Sequence, residues 1–555
     1  MFNSSSQNEN EPSIDEICDA INDILKWKLQ TSSDDGLRLT DSIIERSVKT
    51  HLLPFLIPSN GSPKAREDIY QAFWGLLDAQ IELNSFLSRS IDAFCYDDSI
   101  SFELVDNELT IIERNKGIHD AWQRNGEKLN RLNHYWLYRA FFEIEELGMA
   151  TMQIGLPENQ EWNQQALIKA IRIQLQLTEV YGLGDSILTD TKLPVDVFQA
   201  LFSLELMTAF YQMDFLLPYD AYLKETGNWR LALTKLFMNG ILQGKNRLPI
   251  TWSEREEKIK NIRSWTVSEN FPHGQLKAAE AILDFWSCDV RELSAQLRND
   301  DSLLTSTLYE RPILKIGRYV FQLPWMIPLQ NNAIAAINNL RRIGSRRVEA
   351  REETRRIEKR LADYFKERDF LVYLNYQPER TSFDDAGEVD LICALNGQLL
   401  VLEIKSTFLR RSVKDAWLHK NMTLRKAGFQ LQRKVKAVQE ALLSDANLRQ
   451  ALGINTDTQI PTIHGWIVDT SIEHDHEFFS GFLKVSLEEV LIALRDDRCW
   501  LNDPMGMFTG QPIDINNIKL SEPKMTPTLY PNGFSGECFV DVIEGQAVWD
   551  SKGTN

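Results

Sequence analysis

The chain has 555 residues with 43% hydrophobic and 25% charged side chains, a composition typical of a folded globular protein with about two to four domains. It contains no apolar run of roughly eighteen residues, so we expect no transmembrane helix and no membrane partner. The net charge of −18 argues against a protein that binds nucleic acid with its whole surface.

Cysteine spacing and the N-terminal sequence indicate the compartment. The six cysteines are widely scattered and form no CxxC pair, which argues against a zinc module or a disulfide framework. The first residues, MFNSSSQNENEPS, lack the charged and then apolar segments of a secretory leader. We therefore expect a cytoplasmic protein.

Residues 1 to about 305 are predicted to fold as successive helices. Apolar residues recur at spacings of three and four in three long segments, residues 65–94, 136–149 and 197–215. Residues 312–324 predict a short hairpin that turns near Gly317. We predict a large all-α domain over residues 1–340, with a boundary near 330–345, that serves in sensing, oligomerisation or substrate grip.

Residues 341–500 are predicted to form an α/β domain in which helices flank a mixed central sheet. The periodicity predicts a helix, a strand, a hairpin, a long basic helix, a strand and a helix. Outside the hairpin, these elements cover residues 351–368, 370–374, 415–443, 463–469 and 486–494. Residues 501–555 are predicted to pack on this domain as an extension that contains a strand pair at 538–549.

The hairpin of this domain lies within residues 387–407, GEVDLICALNGQLLVLEIKST. Asn396-Gly397 is the strongest short-range hairpin signal because both central residues of a type I′ turn need positive φ. If these residues form the turn, counting outward places Asp390 directly opposite Glu403. Directly opposed side chains share a face of the sheet, with Cβ atoms roughly 5 Å apart.

Lys405 points to the same face as Glu403, because side chains alternate along a strand. Two facing carboxylates without a cation repel by about 4 kcal/mol at a separation of about 4 Å and an effective dielectric constant near 20. A divalent metal ion would turn that repulsion into a binding site, so we predict one here. The alternative, a cross-strand Glu388–Lys405 salt bridge, explains the lysine but not the two opposed acids.

Basic residues flank this hairpin on both sides. Residues 405–436 contain ten Lys or Arg residues and one acid, Asp415. Residues 341–368 contain eleven Lys or Arg residues and six acids. Each run could be a solvated helix face, but two runs around a carboxylate hairpin favour a phosphate-binding surface.

Two further features carry less weight. The stretch EHDHE at residues 473–477 contains metal-binding side chains, but its polar surroundings favour a solvated loop. His419, within the basic segment, is a candidate phosphate contact for which the sequence offers no other support.

The order of elements, with Gly387-x-x-Asp390, a turn and then Glu403-x-Lys405, resembles the PD-(D/E)XK nuclease superfamily, whose fold is that of restriction endonucleases. The resemblance covers roughly residues 345–500. It implies that Asp390 and Glu403 hold one or two Mg²⁺ or Mn²⁺ ions, with the backbone carbonyl of Ile404 as a further ligand. Lys405 would then orient and deprotonate the attacking water or stabilise the charge that develops on the phosphate.

The resemblance also implies two accessory residues. Members of the superfamily often have a glutamate on the first helix that reaches the metal, and Glu358 fits that position, with Glu353 as the fallback. Related nucleases place a glutamine on the helix after the lysine; Gln432 or Gln430 is the candidate, with Lys436 one turn later. The alternative for these residues is a solvent-facing polar position.

The resemblance implies a Mg²⁺-dependent nuclease, and we expect an endonuclease that cuts DNA and belongs to a prokaryotic restriction, repair or antiviral defence system. The helical region would form a homo-oligomer or bind a partner of that system. Two alternatives remain at this point: an inactive scaffold that binds nucleic acid or protein, and a nuclease that cuts RNA.

Overall fold

The structure is a computed structural model of the chain. It describes about two thirds of the residues, namely 12, 16–17, 19–21, 23–24, 63–91, 100–114, 117–149, 152–184, 186–189, 192–211, 213, 216–242, 251–289, 310–322, 335–336, 338–339, 350–379, 386–407, 413–455, 461–502, 508–509, 519–520 and 527–550. Within these ranges, no helix has both the length and the apolar character needed to cross a membrane.

The chain divides into two compact units that do not follow chain order. The first unit comprises residues 1–89, 153–174 and 184–343, and the second comprises residues 90–152, 175–183 and 344–555. Residues 90–152 therefore cluster with the C-terminal half of the chain. The predicted boundary at 330–345 falls largely outside the described residues and stays a prediction.

Among the described residues up to 322, the chain contains eight strands beside its helices. The helices are α1 (Pro63–Ile91), α2 (Gly117–Glu146), α3 (Gln160–Tyr181), α4 (Val197–Tyr211), α5 (Leu217–Thr226), α6 (Trp229–Leu242), α7 (Arg255–Arg263) and α8 (Leu276–Trp286). The strands are β1 (Ile100–Val105), β2 (Glu108–Glu113), β3 (Ser186–Leu188), β4 (Pro194–Asp196), β5 (Thr251–Glu254), β6 (Ser287–Asp289), β7 (Ile313–Ile316) and β8 (Tyr319–Gln322).

The prediction of an all-α region over residues 1–340 is therefore wrong. Strands β5, β8, β7 and β6 form a four-stranded sheet in that order, and β1–β2 and β3–β4 form two antiparallel pairs. The hairpin predicted near Gly317 is confirmed as β7–β8, in which Ile316 pairs with Tyr319. Its partner strands β5 and β6 are short and lie far away in sequence, so local periodicity does not reveal them.

The second unit is built on a six-stranded mixed sheet flanked by helices, which confirms the predicted α/β architecture. Its strands are β9 (Leu371–Tyr376), β10 (Val389–Leu395), β11 (Gln398–Lys405), β12 (Thr462–Asp469), β13 (Phe478–Phe479) and β14 (Phe482–Ser486), in the spatial order β13-β14-β12-β11-β10-β9. Strands β9, β10 and β11 pair antiparallel, whereas β11, β12 and β14 pair parallel.

The remaining elements belong to the second half of the chain. The helices are α9 (Ala350–Glu367), α10 (Val413–Leu418), α11 (Arg425–Ser444), α12 (Ala446–Ala451), α13 (Leu487–Arg495) and α14 (Gly536–Glu544). A π-helical segment, His419–Leu424, joins α10 to α11. Two short strands, β15 (Phe508–Thr509) and β16 (Lys519–Leu520), form a separate pair. The strand pair predicted at 538–549 is wrong, because α14 occupies most of that segment.

Helix α11 covers one face of the sheet. Its buried side chains Leu431, Val435 and Val438 join Val401 and Ile467 of the central strands in one hydrophobic cluster. The helix predicted at 415–443 is therefore confirmed, although the structure divides it into α10, the π-helical segment and α11.

Gly428 allows a close approach between α11 and strand β13. A Cβ atom at Gly428 would lie 2.7 Å from the backbone oxygen of Phe479, so any larger residue would force the two elements apart. Helix α11 and strand β13 are therefore in close contact on this face of the sheet. The same face carries the acids of the predicted hairpin.

Candidate active site

The β10–β11 hairpin has the predicted turn and register. Asn396 and Gly397 have φ values of 49° and 79°, and Leu395 pairs with Gln398. The pairing runs to Leu391 opposite Leu402, so the next residues outward, Asp390 and Glu403, lie opposite each other. Alternation along the strands then directs both carboxylates to one face of the sheet.

A buried lysine from α11 holds the two acids together. Lys434 Nζ lies 2.7 Å from Asp390 Oδ1 and also forms an ion pair with Glu403 Oε2. The side chains of Lys434 and Glu403 are 7% and 2% exposed, whereas that of Asp390 is 15% exposed. The two carboxylates therefore share one cation, and sequence reasoning did not identify that cation.

The pKa values of Asp390 and Lys434 are shifted because the two acids and the lysine lie close together and are largely buried. Burial and the facing Glu403 raise the pKa of the Asp390 carboxyl above its usual range, although Lys434 and the Ile404 N–H oppose the shift. Burial lowers the pKa of the Lys434 ammonium, but its two acidic neighbours outweigh burial and raise it overall. The group therefore favours a positive charge between the two acids.

Lys405 lies beside the acid pair, as predicted. Its Nζ is 2.5 Å from Glu403 Oε1 and 3.4 Å from Gln430 Oε1. Glu388 is exposed and instead accepts a hydrogen bond from Gln377, at 2.7 Å. The alternative Glu388–Lys405 salt bridge therefore does not form between these two described residues. The Lys405 side chain is 24% exposed, so solvent reaches the group at this point.

Glu358 on α9 approaches the same group. Burial, together with the charges of Asp390 and Glu388, raises the pKa of Glu358 to about 7. Asn375, which has a φ of 53°, lies between α9 and the hairpin. With its amide nitrogen turned toward the acids, it donates to Glu388 Oε1 at 2.9 Å and to Glu358 Oε2 at 3.2 Å.

Glu353, the fallback for Glu358, and the candidates on α11 lie in different positions. Glu353 accepts a hydrogen bond from the hydroxyl of Ser406, directly after Lys405. Gln432 and Lys436 are exposed on α11, and Gln430 is the glutamine that contacts Lys405. Of the two glutamine candidates, Gln430 is therefore the one beside Lys405 and Gln432 faces solvent, because four residues, about one helical turn, separate Gln430 from the inward-facing Lys434.

A further carboxylate, that of Asp469, lies at the end of the neighbouring strand. Lys405 of β11 and Asp469 of β12 are paired in the parallel register. Asp469 is fully buried and accepts hydrogen bonds from His419 Nε2 at 2.7 Å, from Thr407 Oγ1 at 2.5 Å and from Ser471 Oγ at 2.8 Å. His419 is therefore a buried partner of Asp469 and not a surface contact to phosphate.

The hydrogen bonds to Asp469 outweigh its burial. Although burial raises the pKa of this carboxyl, the bonds from His419 and Thr407 and the charge of Lys484 lower it to about 2. The network ties the chain just after Lys405 to β12, because the backbone N–H of Thr407 also donates to Thr470 Oγ1 at 2.7 Å. Asp469 therefore fixes the end of strand β11.

Three side chains of the EHDHE stretch, Glu473, Asp475 and His476, are buried in a polar network, so the expectation of a solvated loop is wrong for them, while the Glu477 side chain is 43% exposed. Lys484 Nζ donates to Asp475 Oδ1 at 2.6 Å, and His476 Nε2 lies 3.0 Å from both oxygens of Glu489. Asp475, Lys484 and Glu489 have side chains that are at most 1% exposed. The stretch therefore closes the sheet beyond Asp469.

The donor set of the hairpin fits a divalent cation. Asp390 and Glu403 already converge on one ammonium, so their oxygens can reach a common ion. Carboxylate oxygens are the ligands that Mg²⁺ and Mn²⁺ favour. No group of three or more His, Cys, Asp or Glu side chains within the described ranges is arranged to hold a metal. A bound ion would therefore complete its shell from the backbone, for which the resemblance suggests Ile404, and from water.

Comparison of the chain with protein-family models, with curated proteins and with solved structures finds no match.

Proposed function

We propose that this protein is a metal-dependent nuclease that hydrolyses phosphodiester bonds in DNA. The observation that carries the proposal is the convergence of Asp390 and Glu403 on one cation position, with Lys405 2.5 Å from the second acid. Opposed, largely buried carboxylates are unfavourable unless a cation lies between them. A site that keeps this arrangement at a solvent-accessible edge suits the binding of a metal and a phosphate.

Each residue then has a distinct role. Asp390 and Glu403 would hold Mg²⁺ or Mn²⁺, which neutralises phosphate oxygens and lowers the pKa of bound water. Lys405, hydrogen-bonded to Glu403 and near Gln430, would orient the attacking water or contact the scissile phosphate. Glu358, whose pKa is raised to about 7, lies where it could exchange a proton near neutral pH.

The order of elements supports the same proposal. Helix α9, strands β9, β10 and β11, helices α10 and α11 and strand β12 follow one another as in the PD-(D/E)XK superfamily that the hairpin motif resembles. We extend the proposal to a cytoplasmic role in restriction, repair or antiviral defence. The N-terminal region, residues 1–340, would then contribute a homo-oligomer contact or a partner surface.

The test is cleavage of plasmid and linear DNA by the full chain, with Mg²⁺ or with EDTA. We expect Lys405→Ala to lower the metal-dependent rate by at least about a hundredfold, because a positioned charge at the reacting group typically contributes that much. The melting temperature should change little, since Lys405 is partly exposed. Lys366→Ala, which removes an exposed lysine of α9, is the matched control.

Equal cleavage by wild type and Lys405→Ala would remove Lys405 from the mechanism. Cleavage that persists in EDTA would contradict metal dependence. RNA tested in parallel distinguishes a ribonuclease from the proposed DNA nuclease, and cleavage of RNA only would contradict the choice of DNA.

One observation favours a second candidate, an inactive nucleic-acid-binding or protein-interaction scaffold. Lys434 already supplies a positive charge between the two acids, so the pair can persist without a metal ion. In such a protein the hairpin would be a structural ion cluster. Metal binding separates the two candidates, because only the nuclease requires the ammonium to give way to a divalent ion.

A further inference from the structure

Helix α11 carries a basic and aromatic stripe on its exposed side. The stripe consists of Lys426, Phe429, Arg433 and Lys436, which are spaced by three or four residues and are all exposed. Residues at these spacings lie above one another on one side of a helix. From the first to the last, the stripe is about 15 Å long at the usual helical rise.

This stripe lies beside the residues of the candidate active site. Gln430 and Lys434 each follow a member of the stripe by one residue and contact Lys405 and the two acids. One residue corresponds to about 100° around a helix axis. The stripe therefore lies about a quarter of a turn around the helix from the residues that contact Lys405 and the acids.

Phe429 is an unusual residue for this position, because its side chain is 53% exposed between charged neighbours. Gly428, the residue before it, packs against the backbone of Phe479. Phe478, the residue before Phe479, is 69% exposed, and Met422, about two turns before Phe429, is 68% exposed. Large apolar side chains thus occur at the surface on both elements of this contact.

We infer that the stripe is a binding track for single-stranded DNA that leads to the candidate active site. The inference rests on the proposed function and adds the form of the substrate. Lysine and arginine side chains attract the phosphate backbone of any nucleic acid. An exposed aromatic ring gains most from an unpaired base, because base–aromatic stacking needs a free base face. The bases of a duplex are already stacked on each other.

Because the whole chain has a net charge of −18, an excess of basic over acidic residues in one helix is informative. From Arg425 to Lys436 the sequence has five Lys or Arg residues, Arg425 included, and no acid. Of the basic residues in this interval, Lys434 faces inward and the others are exposed. A polyanion would therefore be drawn to this face, and Phe429 would add the contact that distinguishes a single strand from a duplex.

The experiment measures binding of the full chain to a fluorescent oligothymidylate and to a duplex of equal length, in EDTA so that no cleavage occurs. We expect tighter binding of the single strand. Phe429→Ala should weaken single-strand binding by about tenfold or more and leave duplex binding nearly unchanged, since loss of one stacked base typically has an effect of that size.

Leu443→Ala is the matched control, because Leu443 lies on the same helix and is 73% exposed but falls beyond the basic residues. This variant should bind like wild type. Lys426→Ala should weaken both ligands and reduce the salt dependence of binding. Phe429→Trp should retain single-strand binding, which separates ring stacking from a general loss of apolar surface.

Equal affinity for single strand and duplex, or equal loss on both in Phe429→Ala, would overturn the inference. Tighter binding of the matching RNA would overturn the choice of DNA. Because binding in EDTA does not require the acids, a failure of cleavage with intact single-strand binding would count against the nuclease proposal only. Intact cleavage with no effect of Phe429→Ala would count against the track only.

Discussion

Asp390 and Asp469 are two aspartates on one sheet that differ in almost every physical respect. Asp390 faces another acid, is partly exposed, and has a pKa above the usual range. Asp469 accepts hydrogen bonds from His419, Thr407 and Ser471, is fully buried, and has a pKa of about 2. Burial alone therefore does not decide the charge state of an acid in this protein.

The difference separates a structural acid from a site acid. The hydrogen bonds to Asp469 come from side chains that have no other role in the hairpin, so its ionised form is fully stabilised. Asp390 has the Ile404 N–H, 2.7 Å from its Oδ2, and one ammonium that it shares with Glu403. An acid whose cation is shared with a second acid is more available to a metal or a substrate, whereas an acid surrounded by several donors of its own contributes to stability.

The largest expected effect is on the free energy of unfolding and concerns Asp469, the aspartate with a structural role. Asp469→Asn should lower the free energy of unfolding by about 3–5 kcal/mol, because it leaves His419 and the hydroxyl donors around a neutral group that no longer matches them. Urea unfolding in EDTA near neutral pH measures the change. The deficit should shrink as pH falls from the usual value of 3.8 toward about 2, since the unfolded wild-type chain then takes up a proton at this position while folded Asp469 stays largely ionised until about pH 2.

Asp390→Asn is the matched control for this measurement. It should change the free energy of unfolding by no more than about 1 kcal/mol, since Lys434 already screens Asp390 from Glu403 and the ionised form is disfavoured. A similar loss of stability in both variants would contradict the distinction between a structural Asp469 and a site residue Asp390.

An intermediate effect is expected for the ammonium shared by the acids. Lys434→Met should lower the free energy of unfolding in EDTA by about 2–4 kcal/mol, because two facing carboxylates lose their cation. Mn²⁺ or Mg²⁺ should then raise the melting temperature of the variant more than that of wild type. Lys436→Met, which removes a 66% exposed lysine from the same helix, should show neither change.

If metal ions stabilise Lys434→Met no more than wild type, the acids do not form a cation site. That result would favour the scaffold over the nuclease. A variant as stable as wild type in EDTA would instead show that Lys434 does not compensate the acids.

The smallest effect concerns Glu358 and has a defined pH dependence. A pKa raised from 4.5 to about 7 means that the folded state holds the proton more tightly, so ionised Glu358 lowers stability as pH rises through this interval. Glu358→Gln should therefore be more stable than wild type above pH 7, by about 1–3 kcal/mol, and equal to it below pH 4.5.

Thermal unfolding of the two proteins across this pH range, in EDTA, checks the result. Glu367→Gln, on the same helix but exposed, provides the control. A stability difference that does not vary with pH would show that the charge of Glu358 has no part in it.

The hairpin was predictable because its determinants are local. The Asn396-Gly397 turn fixes the register, and the register alone places Asp390 opposite Glu403 and Lys405 two residues farther along. Lys434 comes from a separate helix, but the sequence contained a usable signal. Its spacing from Leu431 and Val438 places it on the buried stripe of α11, where a lysine needs an acidic partner.

The remaining features depend on contacts between distant segments. Strand β5 pairs with β8 across a long separation, and each has only four residues, so neither period nor length identifies the four-stranded sheet. The EHDHE stretch is polar in sequence, yet inside the fold its Asp475 accepts a hydrogen bond from Lys484 of a later strand, and its His476 bonds to Glu489 of a later helix. Sequence patterns describe a segment by itself and not the partners that complete it.

The π-helical segment His419–Leu424 sets how helix α10 is rotated relative to helix α11, and thereby how two polar networks align with the sheet. A π turn contains about one residue more than an α turn, so it rotates helix α10 relative to helix α11. His419 at its start reaches Asp469, while Lys434 on α11 reaches Asp390 and Glu403. Loss of one residue here would restore an ordinary helix, and only one of the two networks could then keep its alignment with the sheet.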